Sequence, residues 1–174
     1  YIKGWFHSSA GGKTTTAKVG LAYKKDEPPY IKSVDSPDDE APADIRSWNV
    51  IISKEEVIKV LKEAGETVNQ IKNIKILNKD KTGRIIDLEI IHDQGSKKLK
   101  GAEFRTVVGP DKLKSTLVKS IKSTGEGYNF IGSGYGHGVG MSQWGAYKLA
   151  KQGKSPEEII KYYFQGIEIK KKWN

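Results

Sequence analysis

The chain has 174 residues, 36% hydrophobic and 29% charged, with a mean hydropathy of −0.58. A sequence of this length buries roughly 70% of its unfolded surface on folding, so a packed core is expected and a disordered tail is excluded. Its 30 Lys and Arg against 21 Asp and Glu leave a net charge of +9. That sign calls for an anionic partner surface but does not choose among nucleic acid, an acidic membrane and a negatively charged cell wall. With no cysteine, disulfides, thiolate chemistry and cysteine-based zinc sites are ruled out. No run approaches the ~18 apolar residues of a spanning helix, and no apolar run follows a basic start as in a secretory signal. The chain opens on Tyr1-Ile2-Lys3-Gly4-Trp5-Phe6 without an initiator Met, so it is expected to be a fragment of a longer protein whose targeting segment has been removed.

The first segment, to about Tyr23, reads as a strand running into a glycine turn at Gly11-Gly12. Residues 24–48 hold Pro28, Pro29, Pro37, Pro42 and the acidic run Asp38-Asp39-Glu40, the composition of an ordered connector. Ser53-Lys54-Glu55-Glu56 is a capping box with Ile52 and Val57 placed as a staple; Val57, Val60, Leu61 and Ala64 mark one helical face, ended by Gly65. Ile71 to Leu77 and Ile85 to Ile91 are β-branched runs separated by a polar, glycine-containing loop, which predicts an antiparallel hairpin with Ile74, Ile76, Ile86, Leu88 and Ile90 alternating. Lys100 to Pro110 predicts a short helix carrying Phe104, Val107 and Val108, and Leu117 to Ser123 a short strand. A second capping box, Ser155 with Glu158 and Pro156 at the first helical position, starts a helix that buries Ile159, Ile160, Tyr163 and Phe164. No internal repeat is visible. The lysine-rich ending Lys170-Lys171-Lys172 reads as a solvated face.

The chemistry concentrates in Gly132-Ser133-Gly134-Tyr135-Gly136-His137-Gly138-Val139-Gly140-Met141-Ser142-Gln143-Trp144, where glycine takes every second position from 132 to 140. In an extended backbone this strips one side of side chains, so another backbone or a flat ligand can approach while Ser133, Tyr135, His137 and Val139 face the other way. Met141 to Lys151 has helix-forming content, which puts Ser142 and Gln143 at a helix N-terminus with donors for an oxygen-rich ligand. The plain alternative is a tightly packed crossover with a satisfied buried histidine; the grouping of Tyr, His, Ser, Gln and Trp favours a site. A phosphate loop at Gly12-Lys13-Thr14 fails because the required upstream glycine falls at His7, and no βαβ unit supports a dinucleotide site. No helix-turn-helix, zinc-finger or RNA-recognition pattern supports nucleic acid as partner.

Residues 134–146, Gly-Tyr-Gly-His-Gly-Val-Gly-Met-Ser-Gln-Trp-Gly-Ala, strongly resemble the signature of the stage II sporulation protein D and amidase-enhancer family. Similar stretches run along the chain: Phe6 to Thr14 resembles the family's aromatic, Ser and Gly-Gly-x-Thr segment; Pro29 to Trp48 its proline-acidic linker; Gly101 to Arg105 the segment preceding the signature; and Tyr162 to Ile167 its Tyr-Tyr-x-x-Gly ending. The resemblance implies an α+β fold, an antiparallel or mixed sheet with a few short helices. The chain would be a single compact domain spanning 1–174, the larger C-terminal part of the catalytic domain, with a connector at 24–48 and a helix-hairpin subregion at 53–124, missing the N-terminal helical part.

What the resemblance implies for function is a peptidoglycan lytic transglycosylase acting on glycan strands stripped of stem peptides during forespore engulfment. It would work outside the cytoplasmic membrane, anchored through a missing N-terminal segment, with other cell-wall hydrolases as further partners. One carboxylic acid protonates the glycosidic oxygen, then as carboxylate activates the C6 hydroxyl that closes on C1 to a 1,6-anhydro product. The family's catalytic Glu lies on an alanine-rich helix upstream of the segment that starts this chain. The general acid is therefore expected before residue 1, and no role passes to Glu55, Glu56 or Glu103. Substrate-binding residues are expected to be Tyr135, His137, Ser142 and Gln143, with His7, Ser8 and Ser9 on the opposite wall; Trp144 either stacks on a sugar or packs in the core. Some members hold zinc near the Gly-Gly segment with cysteines and histidines; without cysteine, no metal and no cofactor are expected. The alternative reading is a noncatalytic wall-binding or amidase-enhancer module.

Overall fold

The computed structural model describes residues 1–170. In chain order the elements are β1 (Phe6–His7), α1 (Ala17–Gly20), α2 (Ala43–Arg46), β2 (Trp48–Ser53), α3 (Lys54–Glu63), β3 (Ile71–Lys79), β4 (Ile85–His92), β5 (Gly95–Lys100), α4 (Gly101–Val108), β6 (Val118–Ser123), β7 (Gly127–Gly132), β8 (Met141–Ser142), α5 (Gln143–Lys151) and α6 (Pro156–Tyr163). The fold is α+β, with antiparallel three-stranded sheets ordered β2-β7-β6 and β3-β4-β5 and a short parallel pair β1-β8. Lys171 and Lys172 lie outside the described residues, while Lys170 stands 3.2 Å from Glu168.

The larger core follows from apolar periodicity. In α3 the Ser53 hydroxyl accepts from the Glu56 amide and the Glu56 carboxylate from the Ser53 amide, so two free donors of the first turn are satisfied. The helix then sinks Val57, Val60 and Leu61 against Ile52, and Gly65, at φ +83°, carries the chain past its end. Register places Ile74 opposite Ile90 and Ile76 opposite Leu88 across β3-β4, and Val50 opposite Phe130 and Ile52 opposite Tyr128 across β2-β7. Phe104 from α4 stacks on Phe130 at 5.7 Å, which joins both sheets under one helical cover.

Four strands, β2, β5, β7 and β8, escape the sequence pattern. β5, Gly95 to Lys100, has Leu99 as its one large apolar residue. It forms as an edge by pairing with β4, and Lys98 and Lys100 reach back to the buried Asp87 at 3.6 and 2.8 Å. Such lysines also deter further pairing at that edge. β7 lies at the centre of its sheet between β2 and β6, and buries Tyr128 and Phe130.

The smaller core gathers Ala17, Ile31, Val139, Leu149, Ile159, Tyr163 and Phe164 from elements far apart in sequence. Little sheet structure ties it. Residues 24–47 hold no named strand and one helical turn, α2. They are pinned by bridges from Lys13 to Asp35 and from Ile31 to Phe164. Arg84, from the β3-β4 loop, crosses between the two cores. Its guanidinium is almost wholly buried and donates to the Lys13 carbonyl at 2.8 Å, the Ala10 carbonyl at 2.7 Å and Thr82 Oγ1 at 3.0 Å.

Candidate functional site

The glycine-rich segment departs from an extended ribbon. Gly134, Gly136, Gly138 and Gly140 all have positive φ, between +71° and +113°, so the backbone alternates between left-handed and ordinary conformations that only glycine adopts without strain. The close approach anticipated from the sequence is real, and the approaching groups belong to the protein itself. A Cβ at Gly140 would lie 2.2 Å from the Trp5 carbonyl oxygen, one at Gly136 2.6 Å from the His7 Cβ, and one at Gly138 2.5 Å from Arg84 Nε. The segment is therefore laid directly on the N-terminal strand. Ser9 and Tyr135 exchange backbone hydrogen bonds at 2.9 Å each way, and β1 runs parallel to β8.

This contact brings His7 and His137 together, ring centroids 5.4 Å apart. His7 Nδ1 donates to the Val139 carbonyl at 3.1 Å, and its Nε2 is buried without a hydrogen-bond partner. His137 Nδ1 accepts from the Val139 amide at 3.0 Å, which fixes the proton on Nε2. Burial first, then the other imidazole and the Arg84 guanidinium, push His7 down to about 3. Burial followed by the charge of Arg105 brings His137 down to about 4. Both rings are neutral near pH 7.

A second cluster surrounds Asp38, in the acidic run of the connector. Its carboxylate is buried and accepts from Ser9 Oγ at 2.8 Å, the Gly11 amide at 2.9 Å, Ser36 Oγ at 2.6 Å and Ser142 Oγ at 3.0 and 3.1 Å. Ser36 Oγ in turn meets the Tyr163 hydroxyl at 2.8 Å. The roughly four lone-pair sites of a carboxylate are thus occupied. Asp38 ties the N-terminal turn, the connector, the start of α5 and the end of α6 at one point.

Above this hub opens a cleft of 410 Å³ lined by Ser9, Gly11, Gly12, Asp38, Arg46 and Ser133, among others, within the ~300–1,000 Å³ usual for small-ligand sites. On the far side of α2 a second depression, of 450 Å³, holds Asp44, Trp48, Asp111 and Lys114.

The expected site residues fall into two groups. Ser142 caps α5 as expected, but its hydroxyl is fully buried on Asp38 and accepts from the Gly145 amide; the Trp144 amide donates to the Ser8 carbonyl at 3.1 Å. The donors expected to be free at this helix start are consumed by the fold. Ser9 and His7 are likewise buried and engaged. Facing outward are Gln143, exposed, and the half-buried Ser8, Tyr135, His137 and Trp144. Tyr135 donates its hydroxyl to Asp111 at 2.7 Å beneath the Lys114 ammonium, and Trp144 packs edge-on against the exposed Tyr147. Arg46, Asp38 and Arg84 were not singled out from the sequence. Asp38 and Arg84 differ from surface charges in no local pattern, whereas Arg46 stands just before the buried Trp48. Among the described residues no group of three or more His, Asp or Glu is arranged to hold a metal.

A family model for a domain of unknown function, DUF8618, matches residues 30–140. The chain belongs to this family. The DUF8618 match runs from the connector through the helix-hairpin region to the end of the glycine segment. Along 170 residues, 97% of its length, the chain is 34% identical to stage II sporulation protein D of Bacillus amyloliquefaciens, of which it covers 45%. It is 31% identical over the same share to an uncharacterized protein of Brachyspira hyodysenteriae, of which it covers 43%. An amidase enhancer of Bacillus subtilis is 46% identical over 68 residues, 39% of this chain and 10% of the relative. The resemblance read from the glycine signature therefore holds along the chain, which spans less than half the length of its full-length matches. No helix among the described residues is long and apolar enough to cross a membrane.

Proposed function

We propose that this chain forms the glycan-binding part of a sporulation cell-wall enzyme, a lytic transglycosylase that cleaves peptidoglycan strands stripped of their stem peptides. The observation that carries the reading is the open cleft where the glycine segment meets the N-terminal turn, lined by Ser9, Gly11, Gly12, Asp38, Arg46 and Ser133. Names of the relatives, stage II sporulation protein D and amidase enhancer, point to the same sporulating cell wall. A basic chain suits an anionic wall, on the outer side of the cytoplasmic membrane.

The chemistry needs one carboxyl group free to give and take a proton. In the cleft Asp38 is saturated with donors and Asp39 is paired with Lys148 at 3.0 Å. Elsewhere Glu56 caps α3 and binds Lys112, and Glu103 binds Lys24. On the family resemblance, the general acid is assigned to a part of the parent protein outside this chain. It would protonate the glycosidic oxygen as the C1–O bond breaks, then take the proton of the C6 hydroxyl as that oxygen closes on C1. This chain would hold the strand: Gln143 and Ser8 as hydrogen-bonding groups, Tyr135 and Trp144 as ring-stacking faces, His137 as a neutral hydrogen-bonding group, with His7, Ser9 and Ser142 fixing the wall behind them.

The local 46% match to an amidase enhancer favours a second reading, a wall-binding module that serves a partner hydrolase. Incubating the full-length parent with denuded strands separates the two. Anhydromuramyl products support the transglycosylase; binding without products supports the module; neither binding nor products rejects both.

A further inference from the structure

The proposed cleft contains one charged group with no internal employment. Asp38 is filled and Asp39 is neutralised by Lys148, whereas the exposed guanidinium of Arg46, at the end of α2, makes no hydrogen bond or ion pair among the described residues. Its neighbour on the same turn, Asp44, is taken by Lys114 at 2.9 Å on the other side of α2. The cleft thus offers five unused N–H donors in a planar fork beside Ser133 and Gly12, a geometry suited to a carboxylate gripped through two parallel hydrogen bonds.

We infer that Arg46 is the specificity-determining residue for strands whose stem peptides have been removed, and that it reads the lactyl carboxylate of the muramic sugar. This rests on the glycan reading above. Hydrolysis of the amide that holds the stem peptide leaves a free carboxylate on every muramic residue. A strand that keeps its peptide presents an uncharged amide at the same place, and a chitin-type oligomer lacks the lactyl group. Only the stripped strand gives the guanidinium an anion. The buried Asp38 lines the cleft, so without Arg46 its charge would disfavour a carboxylate there, and discrimination would vanish or reverse.

The test titrates the chain with three oligosaccharides of equal length: a denuded glycan strand, the same strand with its lactyl carboxylates converted to methylamides, and an N-acetylglucosamine oligomer. The wild-type chain is expected to bind the denuded strand at least about tenfold more tightly than either other ligand, the scale of one charge-assisted bidentate pair. Arg46→Gln is expected to lose that preference while keeping its affinity for the two uncharged ligands, and Arg46→Lys to recover part of it. Equal wild-type affinity for all three overturns the inference and leaves the glycan reading standing. Failure to bind any of them overturns the glycan reading and this inference with it. Because the side chain is exposed and makes no hydrogen bond or ion pair among the described residues, both variants are expected to melt with the wild type.

Discussion

The two halves of the molecule are held by different forces. Around α3, α4 and the two sheets, the core is apolar side chains in register, with the start of α3 closed by a capping box. Around the glycine segment the chain is irregular; what fixes it is backbone pressed against backbone at glycines, a carboxylate shared by three serines, and an arginine threaded between carbonyls. The first arrangement tolerates volume-preserving change, because burial is non-directional. The second tolerates less wherever its contacts are directional or sit at the limit of atomic approach, as at Asp38 and Gly140. The proposed cleft lies in the second region, where strict geometry can present polar groups to a ligand.

Substitutions sharpen that contrast. The largest effect is expected at Gly140→Ala, where the new methyl would meet the Trp5 carbonyl in a left-handed conformation; strain and overpacking together cost about 2–5 kcal/mol. Gly12→Ala, also left-handed but with open space around it, should cost only about 1–2 kcal/mol. Equal losses in chemical denaturation would show that the pressed contact is unimportant. Asp38→Ala leaves three hydroxyls and the Gly11 amide short of an acceptor and should cost about 3 kcal/mol. A loss below about 1 kcal/mol would mean the hub is not what ties the four segments.

Acid should separate the halves next. His7 and His137 are held neutral, at about 3 and about 4, against an unfolded value near 6.5. Between pH 6.5 and 4 the unfolded chain therefore binds more protons than the folded one, so stability falls as pH falls and is fully present above that window. Melting temperature is expected to drop steadily from pH 7 to pH 4, with a shallower drop in His137→Gln. The smallest change belongs to the regular half: Ser53→Ala removes the α3 cap, costing about 1 kcal/mol, measured as a shift of the denaturation midpoint.

The same contrast explains what could be read in advance. Capping residues Ser53, Glu56, Ser155 and Glu158 and the alternation in β3 and β4 announce their elements because the signal lies within one segment. β5 went unread because its lysines give no apolar period; it exists through pairing with β4. The glycine alternation predicts a close backbone approach, which the structure shows, but a period of two in glycines reads as an extended strand, whereas the positive φ of Gly134, Gly136, Gly138 and Gly140 shows that these residues serve conformation and contact with the N-terminal segment and Arg84. Asp38 and Arg84 are illegible locally, since a buried ion and a solvated one look alike until the fold surrounds them. Ser142 was found as a helix cap, and its remaining hydrogen bonds depend on residues a hundred positions away.

The central claim, that the junction of the glycine segment and the N-terminal turn is a glycan cleft, is tested most directly by amide chemical-shift mapping. A denuded glycan oligosaccharide added to the labelled chain should shift Gly11, Gly12, Ser133, Gln143 and the Arg46 side chain, leaving β3, β4 and β5 unmoved. Saturable shifts confined to those three strands, or none at millimolar oligosaccharide, would contradict it.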